Sequence, residues 1–541
     1  MQRQLQQADR VEPSITSVRW TPVAGLAAAL LIALALASAA SASPVLTLGH
    51  DGRAVMREDP YLPAPAAQTQ PPPSAARNAA PDRTRDARDA SKHKKRRTVR
   101  GELNRLLRSR AISQATHDGY RSIYYQARKT RGKLGGARRS ALGATIANLE
   151  QIAASGLLTA SRLPALMETV KRNRAWWASG PLPGNGQRVA IEGSPLVWQY
   201  YAGQGLQIQW LGTFGKANAL WSTTDVAKQA SLRSLLDEAL RLASNRAGGI
   251  AWEYLFRFGG GRPPWASGLA QGTAIQALAR SGVKLSEPRY VDAARRGLGI
   301  FHKSPSTGVG AKTGAGTHYL IYSYAPGLRV LNGFTQALNG LYDFAALAND
   351  AEGRALFARG EAQLRRELSR YDTGAWSRYA LGSDADLSYH KLARDFLRGL
   401  CSRLTAQNKG TLTGSTPTGG PRTSVPLASV LPGVNPAPYC SAAERFTSYL
   451  TREPKIALLS RSVRAGRAAS VRIKLDKPSF VKVALLRGGR TVRVLTARLS
   501  GGRRSLLWSN PRTAGTYEVQ LRATDLAGNG GSSKGQLRVL K

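Results

Sequence analysis

The sequence predicts a multidomain, mainly helical chain with a short β-rich segment before its helices and a β-sandwich at its C-terminus. Three observations carry that reading. Amphipathic stretches with apolar residues at helical spacing recur in pairs from Ser222 to about Leu404. Just before them, "RVAIEGSPLVWQYYAGQGLQIQWLGTFGKANALW" mixes β-branched and aromatic residues with Gly-Ser-Pro and Gly-Gln-Gly turns. From Arg452 to Lys541 the pattern alternates at period two and is broken by Gly-Gly turns.

The chain has 541 residues, enough for two to four domains and a large core. Residues 1–42 hold an apolar run, Val23 to Ala42, after Arg10 and Arg19; it ends in Ala40-Ser41-Ala42. This is the pattern of a secretory signal, or alternatively of an uncleaved N-terminal anchor. Either way the rest is expected to be secreted or associated with the cell envelope. Residues 43–100 read as a Pro/Ala/Arg-rich linker, since Leu62–Ala90 cannot make a core. The basic run "KHKKRR" near its end reads as a solvated helix start or a contact with an anionic wall.

Residues 101–180 form a helical region, with Leu142, Ile146, Leu149 and Ile152 on one stripe. Residues 181–221 are the short β segment, two or three strands long. Residues 222–404 are the paired helices, with Gly268 and Gly272, then Gly333 and Gly340, recurring on one face. A helical glycine costs about 1 kcal/mol against alanine, so its repetition points to close helix approach. Helix hairpins of this kind often close into an α/α toroid whose loops line a groove at one end. Residues 405–451 read as a Gly/Thr/Pro/Ser linker. Residues 452–541 suit an immunoglobulin-like sandwich serving spacing or wall and glycan contact. Cys401 and Cys440 are the two cysteines and can pair in an oxidising compartment.

The formal net charge is +45, from 78 Lys and Arg against 33 Asp and Glu, so the surface attracts polyanions. Zinc-finger spacing and the aromatic strand signature of single-strand binders are both missing, so nucleic acid is not the expected partner. The six histidines form neither HxxxH nor HxH, and Walker and GxSxG motifs are absent. Asp386 with His390 is the nearest approach to a metal pair. No metal and no cofactor are expected.

What remains is a set of aromatic and basic residues at turns and helix starts. Tyr322 and Tyr324 precede the helix that starts near Val330, close to Arg329 and Asn332. "TGAWSRYALGSDADLSYHKL" carries Trp376, Tyr379, Tyr389 and His390. "WQYYAGQG" carries Tyr200, Tyr201 and Gln204, and "PPWASGLAQG" carries Trp265 and Gln271. Taken singly, each tyrosine reads as a core ring with a satisfied hydroxyl. Together, rings beside cations suit an anionic sugar, with Arg329 or His390 pairing its carboxylate.

The segments "VWQYYAGQGLQIQWLGTFGKAN", "PPWASGLAQGTAIQALAR", "RVLNGFTQALNGLYDFA" and "WSRYALG…LSYHKL" together resemble the D-glucuronyl C5-epimerase family, most of all its C-terminal α/α domain. The resemblance covers roughly Gly186 to Leu404. It implies a toroid preceded by a β-rich part and a uronic-acid-containing polysaccharide as substrate. Epimerisation removes the C5 proton α to a carboxylate and returns it from the other face. That needs a base, an acid and a neutralised carboxylate. The resemblance implies Tyr322 and Tyr389 as the proton-transfer pair, with nearby cations lowering a phenol from its usual pKa of about 10. Tyr379, Asn332, Arg329 and His390 would bind the uronate, with Tyr200, Gln204, Trp265 and Gln271 completing the site. Two positions depart from the family: Ile321 stands where a glutamate often precedes the tyrosine, and Ala380 where an aspartate often follows. Glu253 is a candidate substitute for the first. Two other readings fit these residues, a polysaccharide lyase and a non-catalytic binder of anionic glycan or cell wall.

Overall fold

The computed structural model describes residues 43–48, 53–63, 97–407, 411–413, 424–426 and 430–541. The predicted signal or anchor and most of the predicted N-terminal linker lie outside the described residues. Among the described residues no helix is long and apolar enough to cross a membrane.

Part of the segment read as linker is strand. Ser43–Leu48 (β1) and Ala54–Asp59 (β2) pair in an antiparallel hairpin. β1 then runs parallel to Arg188–Val189 (β3), which pairs with Trp198–Tyr201 (β4), which pairs with Gly205–Ile208 (β5). The sheet order is β2-β1-β3-β4-β5. The expected strands are therefore present, and two more come from a region whose local sequence looked unstructured. Gly205, at φ +77°, begins β5; a Cβ there would lie 2.4 Å from Thr145 Oγ1.

Four helices fill the stretch before β3: α1 (Val99–Arg108), α2 (Gln114–Lys133), α3 (Gly136–Ala154) and α4 (Leu163–Ser179). The C-terminal part of the predicted β segment is helix instead. Trp210–Trp221 (α5) buries Trp210, Phe214, Ala217 and Leu220 on one stripe, and the Gln209 side chain caps it by accepting from Gly212 N.

Helix pairs follow, two of them using helices, α5 and one within residues 405–451, that the sequence reads as strand and linker. α5 pairs with Val226–Arg241 (α6), and Gly268–Lys284 (α7) with Pro288–Arg296 (α8), which the short Gly299–His302 (α9) follows. Leu331–Leu347 (α10) pairs with Ala351–Glu367 (α11), and Leu387–Gln407 (α12) with Ala437–Tyr449 (α13). α5, α7, α10 and α12 pack in succession as a row. The glycines permit that closeness: a Cβ on Gly340 would lie 2.0 Å from the Gly272 carbonyl oxygen, and one on Gly272 would lie 2.6 Å from Ala337 Cα. Inside the row, buried Asp343 accepts from Arg403 Nε at 2.6 Å and from Gln276 Nε2 at 2.7 Å, and pairs with Arg280 at 2.7 Å. The segment read as a linker up to residue 451 therefore ends in a packed helix, α13. Its Cys440 is joined to Cys401 of α12 by a disulfide.

The C-terminal region alternates buried and exposed residues as its sequence does. Ile456–Leu458 (β6), Ala469–Leu475 (β8) and Gly502–Trp508 (β11) form one sheet, ordered β6-β8-β11. Ser462–Arg464 (β7), Ser479–Arg487 (β9), Arg490–Leu499 (β10), Gly515–Asp525 (β12) and Gly530–Leu540 (β13) form the other, ordered β7-β13-β12-β9-β10. Val471, Ile473 and Trp508 of the first sheet share one apolar core with Val483, Val519 and Leu537 of the second. Lys477 ties this region to the helices: its ammonium donates to Tyr449 O at 2.9 Å and pairs with Asp525 at 2.8 Å, 5.7 Å from the Trp376 ring.

Candidate functional site

The stretch "WEYLFRF", residues 252–258, has an aromatic at every second position and runs as a ribbon against Trp265. Tyr254 bridges Trp265 and Phe258 bridges Gly261. Tyr254 and Trp265 stack at 4.3 Å, and the indole N–H donates to Phe256 O at 2.8 Å. Tyr322 and Tyr324 lean on this platform, each edge-on to Trp265 with centroids 5.5 Å away. Gly261 makes room for them, since a Cβ there would lie 2.3 Å from the Tyr324 ring.

Tyr379 and Tyr389 arrive from other segments. Tyr379 sits on the hairpin of residues 378–384, which Ala380 bridges to Val330 at the start of α10. Tyr389 is in the first turn of α12, where Asp386 accepts from its N–H at 2.8 Å and from Ser388 Oγ at 2.8 Å. The two rings lie 4.8 Å apart. Burial pushes the Tyr322 phenol well above the usual tyrosine range, and the nearby Tyr379, Tyr324, Tyr389 and Tyr254 hydroxyls push it further. Burial and Tyr379 likewise raise Tyr324 and Tyr389, and Asp386 adds to the latter. The hydroxyls of Tyr324 and Tyr389 are buried without a hydrogen-bond partner. The structure thus brings four phenols together, two with unused hydrogen-bonding capacity.

The cations expected beside them are elsewhere. Arg329 pairs with buried Glu367 at 3.6 Å, a carboxylate that also holds His318 Nδ1 at 2.5 Å and Gln363 Nε2 at 2.7 Å. His390 is fully buried, with Trp376 stacked on it at 3.9 Å. Its Nε2–H donates to Phe446 O at 2.8 Å and its Nδ1 accepts from Ser377 Oγ at 2.7 Å. Burial lowers its pKa to about 4, so it is a neutral core histidine and not a carboxylate partner.

The amides are also committed. Gln271 donates to Ile250 O at 3.0 Å and Gly297 O at 2.9 Å; Gln204 accepts from Asn148 Nδ2 at 3.1 Å; Asn332 accepts from Gly333 N at 2.9 Å. Tyr200 meets Trp177 edge-on at 5.6 Å, and its neighbour Tyr201 is the one that faces the ribbon, 4.7 Å from Phe256. Glu253 is held by Arg162 Nε at 2.6 Å and Arg246 Nη1 at 2.6 Å, with no exposed side-chain surface. Ile321 is buried against α10, where a Cβ on Gly333 would meet it at 3.3 Å. Tyr254, Phe256 and Phe258 were missed as site residues, although their period-two spacing was visible.

Two surface hollows lie away from the tyrosines. One, of about 680 Å³, lies between α4 and α6 beside Arg172 and Asp237. The other, of about 440 Å³, is on the outer face of the β9–β10–β12 strands.

The family profile described as D-glucuronyl C5-epimerase C-terminus matches residues 247–409. A D-glucuronyl C5-epimerase from Caenorhabditis elegans is 32% identical over 149 residues, 24% of this chain and 24% of that protein. The chain therefore spans about a quarter of the curated relative it matches. Among solved structures, the endo-beta-1,4-glucanase CMCax from Acetobacter xylinum has 15% identity over 44% of this chain and 79% of its own, with a TM-score of 0.28. An endoglucanase from Komagataeibacter sucrofermentans has 16% identity over 44% and 78%, with a TM-score of 0.25. At these scores neither structure bears on the fold or the activity. The matched stretch, residues 247–409, contains Tyr254, Tyr322, Tyr324, Tyr379 and Tyr389, and over it the chain is similar to the D-glucuronyl C5-epimerase C-terminus family.

Proposed function

We propose that the chain is an exported uronyl C5-epimerase-like isomerase, interconverting D-glucuronate and L-iduronate type residues within an anionic polysaccharide. The observation that carries this reading is the meeting of Tyr322, Tyr324, Tyr379 and Tyr389 from three segments, with the Tyr324 and Tyr389 hydroxyls buried and unpartnered. In this reading the helix pairs are the turns of an α/α toroid and the C-terminal sheets an immunoglobulin-like module.

The chemistry assigns the phenols their roles. One tyrosine of the Tyr322–Tyr389 pair takes the C5 proton as phenolate, and the charge left behind delocalises into the substrate carboxylate. The other, a neutral phenol, returns a proton to the opposite face. Tyr324 and Tyr379 donate hydrogen bonds to the carboxylate as its charge grows. Raised phenols suit the acid role directly. The base role requires loss of a proton first, so the competent form is a minority that grows with pH.

A second reading, a non-catalytic anionic-glycan binder, is favoured by one observation: the Ile321 side chain is committed to packing against α10 and that of Glu253 to ion pairs with Arg162 and Arg246. Incubation with heparosan in heavy water separates the two. Deuterium at C5 with new iduronate signals supports the epimerase. Absence of exchange on any uronate polymer leaves the binder, and an ultraviolet-absorbing unsaturated product identifies a lyase.

A further inference from the structure

The outer face of the C-terminal five-stranded sheet has a composition that the tyrosine site does not explain. Residues 456–541 contain eighteen Lys and Arg against three Asp and Glu, a far steeper excess than the chain-wide 78 against 33. All three acids are already engaged: Asp525 pairs with Lys477, Asp476 accepts from Lys455 N at 2.8 Å, and Glu518 lies 3.8 Å from Lys534. The cations are therefore largely uncompensated within the module.

Register concentrates them around one aromatic. On β9, Val481 and Val483 face the core while Phe480 and Lys482 face out. Phe480 stands between Arg498 of β10 and Thr524 of β12, and Lys482 between Thr496 and Arg522. These six residues line the hollow of about 440 Å³. Phe480 is 55% exposed, and the Arg498 guanidinium carbon lies 5.5 Å from its ring centroid. Among the described residues, Lys482, Arg498 and Arg522 form no ion pair with a carboxylate, whereas Lys534 further along the same face lies 3.8 Å from Glu518.

We infer that this face is a second binding site for the anionic polysaccharide, separate from the tyrosine cluster; the uronate identity of the polymer rests on the proposed function. Guanidinium and ammonium groups meet carboxylates, the two threonine hydroxyls meet sugar hydroxyls, and the Phe480 ring covers one pyranose face. The composition favours a glycan over a nucleic acid. Single-strand binders stack successive bases on several aromatics, and Phe480 is the one exposed aromatic of this module, Trp508 and Tyr517 being buried. The site would keep polymer on the protein between turnovers, raising its effective concentration at the tyrosines.

The test uses the full chain on immobilised heparosan at fixed ionic strength. The variant Lys482→Gln/Arg498→Gln/Arg522→Gln is expected to bind roughly tenfold or more weakly. Phe480→Ala is expected to lose affinity for heparosan but not for single-stranded DNA of matched length. Carboxyl-reduced heparosan is expected not to bind. The inference is overturned if the triple variant binds heparosan as wild type does, or if Phe480→Ala weakens DNA and heparosan equally. Should the triple variant unfold, the single Arg498→Gln and Arg522→Gln variants carry the same test. C5 exchange on the wild-type chain is scored separately. Lost affinity in the variant without any wild-type exchange upholds this site and rejects the epimerase; exchange with undiminished variant affinity does the reverse.

Discussion

The rings of Tyr322 and Tyr324 lie parallel, 5.3 Å between centroids and 1° between planes. Ala325 N donates to Tyr322 O at 3.1 Å, and the turn this closes delivers the two phenols of "YSY" to one platform. That geometry places both hydroxyls in a dry setting shared with Tyr379 and Tyr389, and several consequences can be measured.

Tyr389→Phe should separate stability from activity. A buried hydroxyl without a partner costs about 1–3 kcal/mol of desolvation, so its removal should leave the unfolding free energy unchanged or raise it. C5 exchange on heparosan should fall by roughly a hundredfold or more, the size of a lost acid–base group. A variant that loses stability and keeps its turnover would show the hydroxyl to be structural.

Turnover should rise with pH. Burial holds the Tyr322 and Tyr389 phenols above their usual range, so the phenolate is scarce near neutrality and increases about tenfold per pH unit. The initial rate of C5 exchange at subsaturating substrate should climb through the alkaline range without a plateau near neutral pH. A bell centred near neutrality would instead require a base other than these tyrosines.

The sequence made some of this legible and hid the rest for identifiable reasons. Helix pairs in residues 222–404 show because local apolar spacing and paired glycines specify them. "ASVRIKL" shows as a strand because every second residue is buried. β1 and β2 escape because their sheet is completed by β3, far along the chain. α5 escapes because its aromatic, apolar run reads equally as strand until Gln209 is seen capping it. In the site, Tyr322, Tyr379 and Tyr389 could be named, but Arg329 and His390 could not be assigned as their cations. One part of that was available: consecutive helical residues point about 100° apart, so a Tyr389 facing the cluster turns His390 away. That Arg329 meets Glu367, from the far end of α11, is long-range information.

Lys477→Met should destabilise the junction between the helices and the C-terminal sheets. Neither side chain of the Lys477–Asp525 pair is exposed. Burial pushes the Asp525 carboxyl up, but hydrogen bonds from Asn529 and Lys477 outweigh it and hold it below the usual range. Removing the ammonium leaves a buried carboxylate short of its counter-charge, a loss of about 3–5 kcal/mol in urea unfolding. Adding Asp525→Asn should recover part of that loss; if the double variant is as unstable as the sum of the singles, the pair is not coupled.

His390 should make the fold acid-sensitive. Its folded pKa is about 4 against an ordinary 6.5, because burial disfavours the imidazolium. Between those values the unfolded chain binds a proton that the folded chain refuses, so stability falls as pH falls through the window. The full shift is worth about 3 kcal/mol below pH 4. His390→Gln can still donate to Phe446 O and accept from Ser377 Oγ, yet has nothing to titrate. Denaturant unfolding across the window should therefore give a shallower pH dependence in the variant than in the wild type. Equal slopes would mean that the acid sensitivity comes from other groups, such as buried His318, whose pKa burial also lowers, in contact with Glu367 and near Arg329.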